Sequence, residues 1–425
     1  MSYRPTYHVS PPSGRLNDPN GMFVESGPEG DVLHLYYQHD PCFPHAPKRT
    51  GWGHTTVNLE RPERPRHYPD ALYPGRAWDA HGCYSGGAVR DGEDVWLFYT
   101  GNLKEGERRI PSQNRVRVAD LGPEGGFYTQ DPDNPLIQDH EPGYTGHFRD
   151  PMITPDPAGG WRMVVGAQRA DLTGAVVLYR SADLHDWEFA GEIEFAGEAP
   201  GGFMWECPNL LSLRDEVTGE WLDVLVLCPQ YPGRDECGYL VGTLDGLRFT
   251  VREPFRPLDG GHAFYAPQLI GYGPDNAQAL LVGWMGLPAQ DDTPTVAAEG
   301  WVHTLTVPRL VTLADAALLQ RPIWPEVPGE VRLDVGGPSE GVLIWGLYAG
   351  DVECLRVELE AASARVTRDG DTRTLPTRPG EARMVADGCA VEVFAGDGAA
   401  AFSVPVFSPD GQALEWREIF ERAQT

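Results

Sequence analysis

The sequence predicts an all-β protein: a five-bladed β-propeller followed by a small C-terminal β-sandwich. Three observations lead there. Short apolar and aromatic runs fenced by Gly, Pro, Asn and Asp recur along the chain, five motif stations recur at a spacing near 60 residues, and three prolines within seven residues mark a late boundary.

The runs are strand signals because Val, Leu, Tyr, Phe and Trp suit a pleated, half-buried surface. They include Asp31–Gln38, Asp94–Thr100, Trp161–Ala167, Ala175–Arg180, Trp221–Leu227, Gly238–Thr243 and Ala279–Met285. Gly and Pro supply 89 of the 425 residues, as many closely spaced turns require. Helical periodicity is sustained only over Ala413–Ala423, where a helix is expected.

The stations are Asn17-Asp18-Pro19-Asn20-Gly21, Tyr84-Ser85-Gly86-Gly87, Phe148-Arg149-Asp150-Pro151, Trp205-Glu206-Cys207-Pro208 and Phe264-Tyr265-Ala266-Pro267-Gln268. Residues 18, 85, 150, 206 and 265 are 67, 65, 56 and 59 apart. Five units of that length, each four strands plus turns, are the anatomy of a five-bladed propeller. Its innermost strands line a central funnel, so Asp18, Asp150 and Glu206 converge at one end of the axis. Each motif alone also has a structural reading: Asn17–Gly21 as a turn, Arg149-Asp150 as an ion pair, Glu206 as a hydrogen-bonded buried carboxylate. Three carboxylates at one phase of a repeat weigh toward a site.

The boundary is Arg321–Val331, with Pro322, Pro325 and Pro328. It reads as an extended connector between a large β domain, residues 1–322, and a small β-sandwich, residues 323–425, with strands at Val342–Tyr348, Leu355–Leu359, Cys389–Phe394 and Ala401–Val406.

Composition narrows the function. With 62 Asp+Glu against 34 Lys+Arg, the net charge is −28, which repels phosphodiesters and anionic lipid, so neither nucleic acid nor membrane is an expected partner. No apolar run is long enough to span a bilayer, and Met1–Tyr7 does not read as a secretory signal. Seven scattered cysteines suit reduced thiols, so the expected location is cytoplasmic. CxxC and HExxH spacings are absent, and no metal is expected. GxSxG, Walker A and GxGxxG patterns are absent too, which removes the commonest hydrolase and nucleotide readings.

At the stations the sequence resembles glycoside hydrolase family 32, the β-fructosidases. The similarity opens at His8–Pro12 and continues through the stations, Tyr37-Gln38, Trp52-Gly53-His54 and Gly283-Trp284. It ends with Trp301, Val307–Leu310 and Val391–Phe394. The resemblance implies the propeller-plus-sandwich fold and a retaining β-fructofuranosidase acting on sucrose or short fructo-oligosaccharides, with no cofactor. Asp18 would be the nucleophile, Glu206 the general acid/base and Asp150 the transition-state stabiliser. Asn17, Gln38, Trp52, Tyr84, Ser85, Arg149, Cys207, Tyr265 and Trp284 would bind the sugar. Sucrose 6-phosphate hydrolysis and fructosyl transfer share these residues, and a non-catalytic carbohydrate-binding propeller is the reading from another class. Oligomeric state is left open.

Physical logic supports the same roles. Retention needs one ionised and one protonated carboxyl about 5–5.5 Å apart. Burial against Trp205 is expected to raise Glu206, and Arg149 to keep its neighbour Asp150 ionised. Departures from the family pattern are Arg15-Leu16 ahead of the first motif, an unusual loop over His39–Thr50 that keeps Phe43, and Ala263 where an acidic residue is common. These concern the leaving-group side. His45 and Lys48 read as solvated loop residues or as contacts to a phosphorylated leaving group; His54 reads as a structural hydrogen-bonding residue.

Overall fold

The computed structural model describes residues 2–28, 30–119, 121, 125–336 and 341–419. They form 33 strands in seven sheets, with one short α-helix at Pro294–Glu299. Each strand run named from the sequence coincides with a strand, with Val342, Cys389 and Val406 one residue outside theirs.

Five sheets lie N-terminal to residue 323 and are mostly antiparallel hairpins in chain order. Their first strands are Gly14–Gly27, Ala88–Asp91, Tyr144–Pro155, Met204–Arg214 and Tyr265–Tyr272. Each of these touches the next, and the fifth returns to touch the first, so the five sheets close a ring. Trp301–Val302 closes the chain as well, pairing in parallel with Gly14-Arg15 on the edge of the first sheet. Apolar clusters fill the spaces between neighbouring sheets. Phe23, Trp52 and Tyr99 pack between the first and second, Phe98, Phe148 and Met163 between the second and third, and Met152, Trp205 and Phe249 between the third and fourth.

The other two sheets run from Val331 to Glu418 and share one core that includes Leu347, Val357, Val391 and Phe402. Strand alternation sets what each residue faces. Val391 and Val393 enter that core, whereas Glu392 points the other way, into the junction with the five-sheet ring.

That junction is polar, buried and fully paired at its centre. Glu392 receives Arg309 Nε at 2.8 Å, the Val307 N–H at 2.8 Å and His8 Nε2 at 3.0 Å. His8 Nδ1 meets Asp387 Oδ2 at 2.9 Å, and Asp387 also accepts the backbone N–H groups of Thr6, Tyr7 and His8. Arg309 reaches Asp259 at 2.9 Å and Ser403 at 2.7 Å. With a carboxylate at each ring nitrogen, His8 is held as imidazolium. Burial alone would lower its pKa, but hydrogen bonds to Asp387 and Glu392 raise it to about 9. Three of the family-like motifs therefore meet at this junction, far along the chain from one another.

One expectation fails here. The predicted helix at 413–423 is, over Glu415–Glu418, an edge strand paired with Leu343–Ala349; residues 420–423 lie outside the described residues. The proline-rich connector lies against the ring, with Trp324 fully buried and its indole N–H donated to the Asn58 carbonyl at 2.9 Å.

Candidate active site

Four of the ring's five first strands are bulged at one level. Ladder registers slip between Leu16 and Pro19, between Glu206 and Asn209, and between Tyr265 and Gln268, while the Tyr144–Pro155 strand slips beside Asp150. Proline follows each bulge residue (Pro19, Pro151, Pro208 and Pro267), and Asp150, Cys207 and Ala266 hold φ values of 68°, 48° and 46°. A bulge re-aims a side chain and frees backbone N–H groups from the ladder. The freed Cys207 N–H donates to Asp150 Oδ2 at 2.9 Å. Below the bulges, side-chain amides tie adjacent sheets together. Gln268 accepts from Met22 N and donates to Gly86 O, Asn20 accepts from Gly86 N, and Asn209 accepts from Leu269 N.

A cavity of about 260 Å³ opens above this layer. Asp18, Asp150 and Glu206 all line it, together with Asn17, Gln38, Tyr84, Ser85, Arg149, Tyr265 and Trp284. Asp18 Oδ1 accepts from Asn17 at 2.9 Å and Oδ2 from Ser85 Oγ at 2.5 Å. Glu206 Oε1 accepts Arg149 Nη2 at 2.6 Å and Nε at 3.1 Å, while Oε2 accepts the Tyr265 hydroxyl at 2.7 Å. Gln38 is fixed through a 2.8 Å bond to the Cys83 carbonyl.

Two residues named from the sequence do not reach the cavity. Trp52 is fully buried behind it, donating its indole N–H to the Tyr84 carbonyl at 3.1 Å, so it supports Tyr84 and is not a wall. Cys207 lies beneath the floor, its Sγ 3.6 Å from Asp150 Oδ2 and 3.9 Å from Asp18 Oδ2.

The electrostatics differ from the sequence expectation. Arg149 pairs with Glu206, not with its sequence neighbour Asp150. Burial, reinforced by Glu206 and Asp18 and opposed by Arg149 and the Cys207 N–H, pushes Asp150 up to about 7. Trp205 is not the neighbour of the Glu206 carboxylate either. It points to the opposite face of the strand, against Phe195, and bonds the Gly201 carbonyl. Burial lowers the His147 imidazole to about 4, aided by Arg149 and Arg109.

Sequence reasoning missed several lining residues: Thr50, Arg109, Gln230, Pro288 and Arg15. Arg15, noted only as a departure, lies over the Trp284 ring at 5.2 Å and bonds Asp291 at 2.8 Å and Asn17 at 2.5 Å. A second cavity of about 270 Å³ adjoins the first, sharing Arg15, Lys48 and Pro288 and walled by Phe43 and Pro44. Lys48 therefore reaches the site, whereas His45 is exposed outside both cavities and Ala263 is buried against Ser403. His54 is structural: it is buried among Tyr36, Tyr68 and Tyr128, and burial takes its pKa down to about 3. Asp131, Asp133 and His185 come within reach of one cation outside the cavity, but Asp131 already holds Arg115 and Asp133 holds His185. Among the described residues no helix is long and apolar enough to cross a membrane.

Residues 8–322 match the model of the glycosyl hydrolases family 32 N-terminal domain. The chain belongs to glycosyl hydrolase family 32. Among its relatives, a sucrose-6-phosphate hydrolase of Klebsiella pneumoniae is 34% identical, the match covering 96% of this chain and 89% of that protein. One from Bacillus subtilis is 36% identical over 76% of this chain and 66% of its own length, just under two thirds. Among solved structures, a Bombyx mori family 32 β-fructofuranosidase mutant in complex with sucrose superposes with a TM-score of 0.78 at 28% identity, over 98% of this chain and 93% of that one. The sucrose-6-phosphate hydrolase of Lactobacillus gasseri also gives 0.78, at 26% identity, over 97% and 90%. The family 32 chain is thus an all-β glycoside hydrolase.

Proposed function

We propose that this chain hydrolyses the terminal fructosyl bond of sucrose or a short fructo-oligosaccharide with net retention. The observation that carries the reading is the meeting of Asp18, Asp150 and Glu206, from three different sheets, in one cavity. Asp18, oriented by Ser85 and Asn17, attacks the anomeric carbon. Glu206 protonates the departing oxygen and then takes a proton from the water that releases fructose. Asp150 binds sugar hydroxyls more tightly as oxocarbenium character develops. The adjoining cavity suits the leaving sugar, so the two cavities together suit a disaccharide. The five-sheet ring is read as a five-bladed β-propeller over residues 1–322 and the remaining two sheets as a β-sandwich over 323–425. The activity is assigned to the cytoplasm, where unpaired thiols such as these seven persist.

A specific observation favours a phosphorylated leaving sugar as a second reading. Lys48 and Arg109 line the cavity, and neither has an ion-pair partner among the described residues. In so acidic a chain, two cations at one mouth suit an anionic substituent.

Fructose release is the test, measured on sucrose, sucrose 6-phosphate, kestose, inulin and levan. Asp18→Asn and Glu206→Gln are each expected to cut turnover by about 10³-fold or more with unchanged circular dichroism. Near-wild-type turnover in either would overturn the roles. Arabinose release in place of fructose, or oligosaccharides accumulating ahead of fructose, would overturn the reaction.

A further inference from the structure

The proton donor of the proposed reaction is held by an arginine, and that arginine is itself held by a residue outside the cavity. His147 and Arg149 are two apart on the Tyr144–Pro155 strand, so they share one face of it. The Arg149 guanidinium uses all three of its nitrogens. Nε and Nη2 go to Glu206 Oε1, Nη2 also approaches Gln230 Oε1 at 3.5 Å, and Nη1 donates to His147 Nδ1 at 3.1 Å.

A guanidinium has only donors, so His147 Nδ1 presents its lone pair and the ring proton sits on Nε2. The charged groups facing the imidazole are Arg149 on its own strand, Arg109 from the second sheet and Glu206 from the fourth. Burial, aided by the two cations, keeps the ring neutral and able to accept. His147 is not among the residues that line the cavity, and its contact with the site is through Arg149.

We infer that His147 is a positioning residue for Glu206: by accepting from Arg149 Nη1 it fixes the guanidinium that aims the general acid at the leaving oxygen. Remove the acceptor and the fork is free to turn about its long side chain. One Glu206 oxygen then loses its two donors, while Tyr265 still holds the other. The inference rests on the proposed role of Glu206, and the experiment separates the two.

His147→Ala, His147→Asn and His147→Gln are compared by kcat/KM on sucrose and on p-nitrophenyl β-fructofuranoside, whose leaving group departs without a proton. The Ala variant is expected to lose about 10- to 100-fold on sucrose, part of the roughly 10²–10⁴-fold that a placed acid supplies, and less than about 3-fold on the aryl substrate. Asn carries an acceptor where Nδ1 sits and restores most of the sucrose activity; Gln carries its acceptor further out and does not. Equal losses on both substrates, an unchanged Ala variant, or Gln rescuing as well as Asn would each sink the inference. If Ala fails to fold, the Asn and Gln pair decides. A wild type that releases fructose from neither substrate would instead sink the hydrolase reading.

Discussion

Replacing His8 with Gln tests the buried junction through a single proton. His8 has a carboxylate on each ring nitrogen, and its pKa rises from 6.5 to about 9 in the folded protein. Below pH 6.5 the imidazole is protonated in both folded and unfolded chains, and the full stabilisation is present. Between 6.5 and 9 the unfolded chain gives up the proton while the folded one keeps it, so stability drains away as pH climbs through 9. The rise in pKa corresponds to about 3 kcal/mol. Urea unfolding at pH 6, 7.5 and 9.5 measures it. Over that range the wild type is expected to lose about 3 kcal/mol more than His8→Gln, which has no such proton. Parallel losses in the two proteins would refute the charge assignment at the junction.

Three further outcomes follow from the site. Asp150→Asn is expected to lower kcat more than it raises KM, since the contact is strongest in the transition state. It is also expected to stabilise the fold near and above pH 7, because a carboxyl held up at about 7 costs stability as pH rises from its ordinary value through 7; a lower urea midpoint at pH 8 would contradict this. Lys48→Ala with Arg109→Ala should raise KM for sucrose 6-phosphate by about 10- to 100-fold and leave sucrose within a factor of about 3, on steady-state fructose release. Gly86→Ala should destabilise by about 1–3 kcal/mol or more in thermal unfolding, because its new Cβ would lie 1.9 Å from the Phe98 carbonyl oxygen, which as backbone has little room to yield.

What the sequence made legible were groups defined along the chain. Asp18, Asp150 and Glu206 stood out because each sits one or two residues before a proline in a series of motifs that recurs about every 60 residues. The errors share a physical cause. Neighbours on a strand point to opposite faces, so Arg149 next to Asp150 and Trp205 next to Glu206 suggested partnerships that the fold does not make. Arg15, Arg109 and Gln230 reach the cavity from bulge flanks, turns and second strands, positions that no motif marks. At Glu415–Glu418, pairing to the Leu343–Ala349 edge overrode a helical pattern, as tertiary context does in short segments.

The parallel pairing of Trp301–Val302 with Gly14-Arg15 has a consequence for synthesis. The strand that carries Asp18 is made before the segment that completes its sheet, which follows nearly 290 residues later. Until then the Gly14-Arg15 edge has no partner, and the Val9 carbonyl lacks the Leu305 N–H that will reach it. An unpaired strand edge is a template for pairing with another chain. A nascent chain stalled before residue 301 therefore exposes an adhesive edge three residues from Asp18, and synthesis of Trp301–Val302 covers that edge.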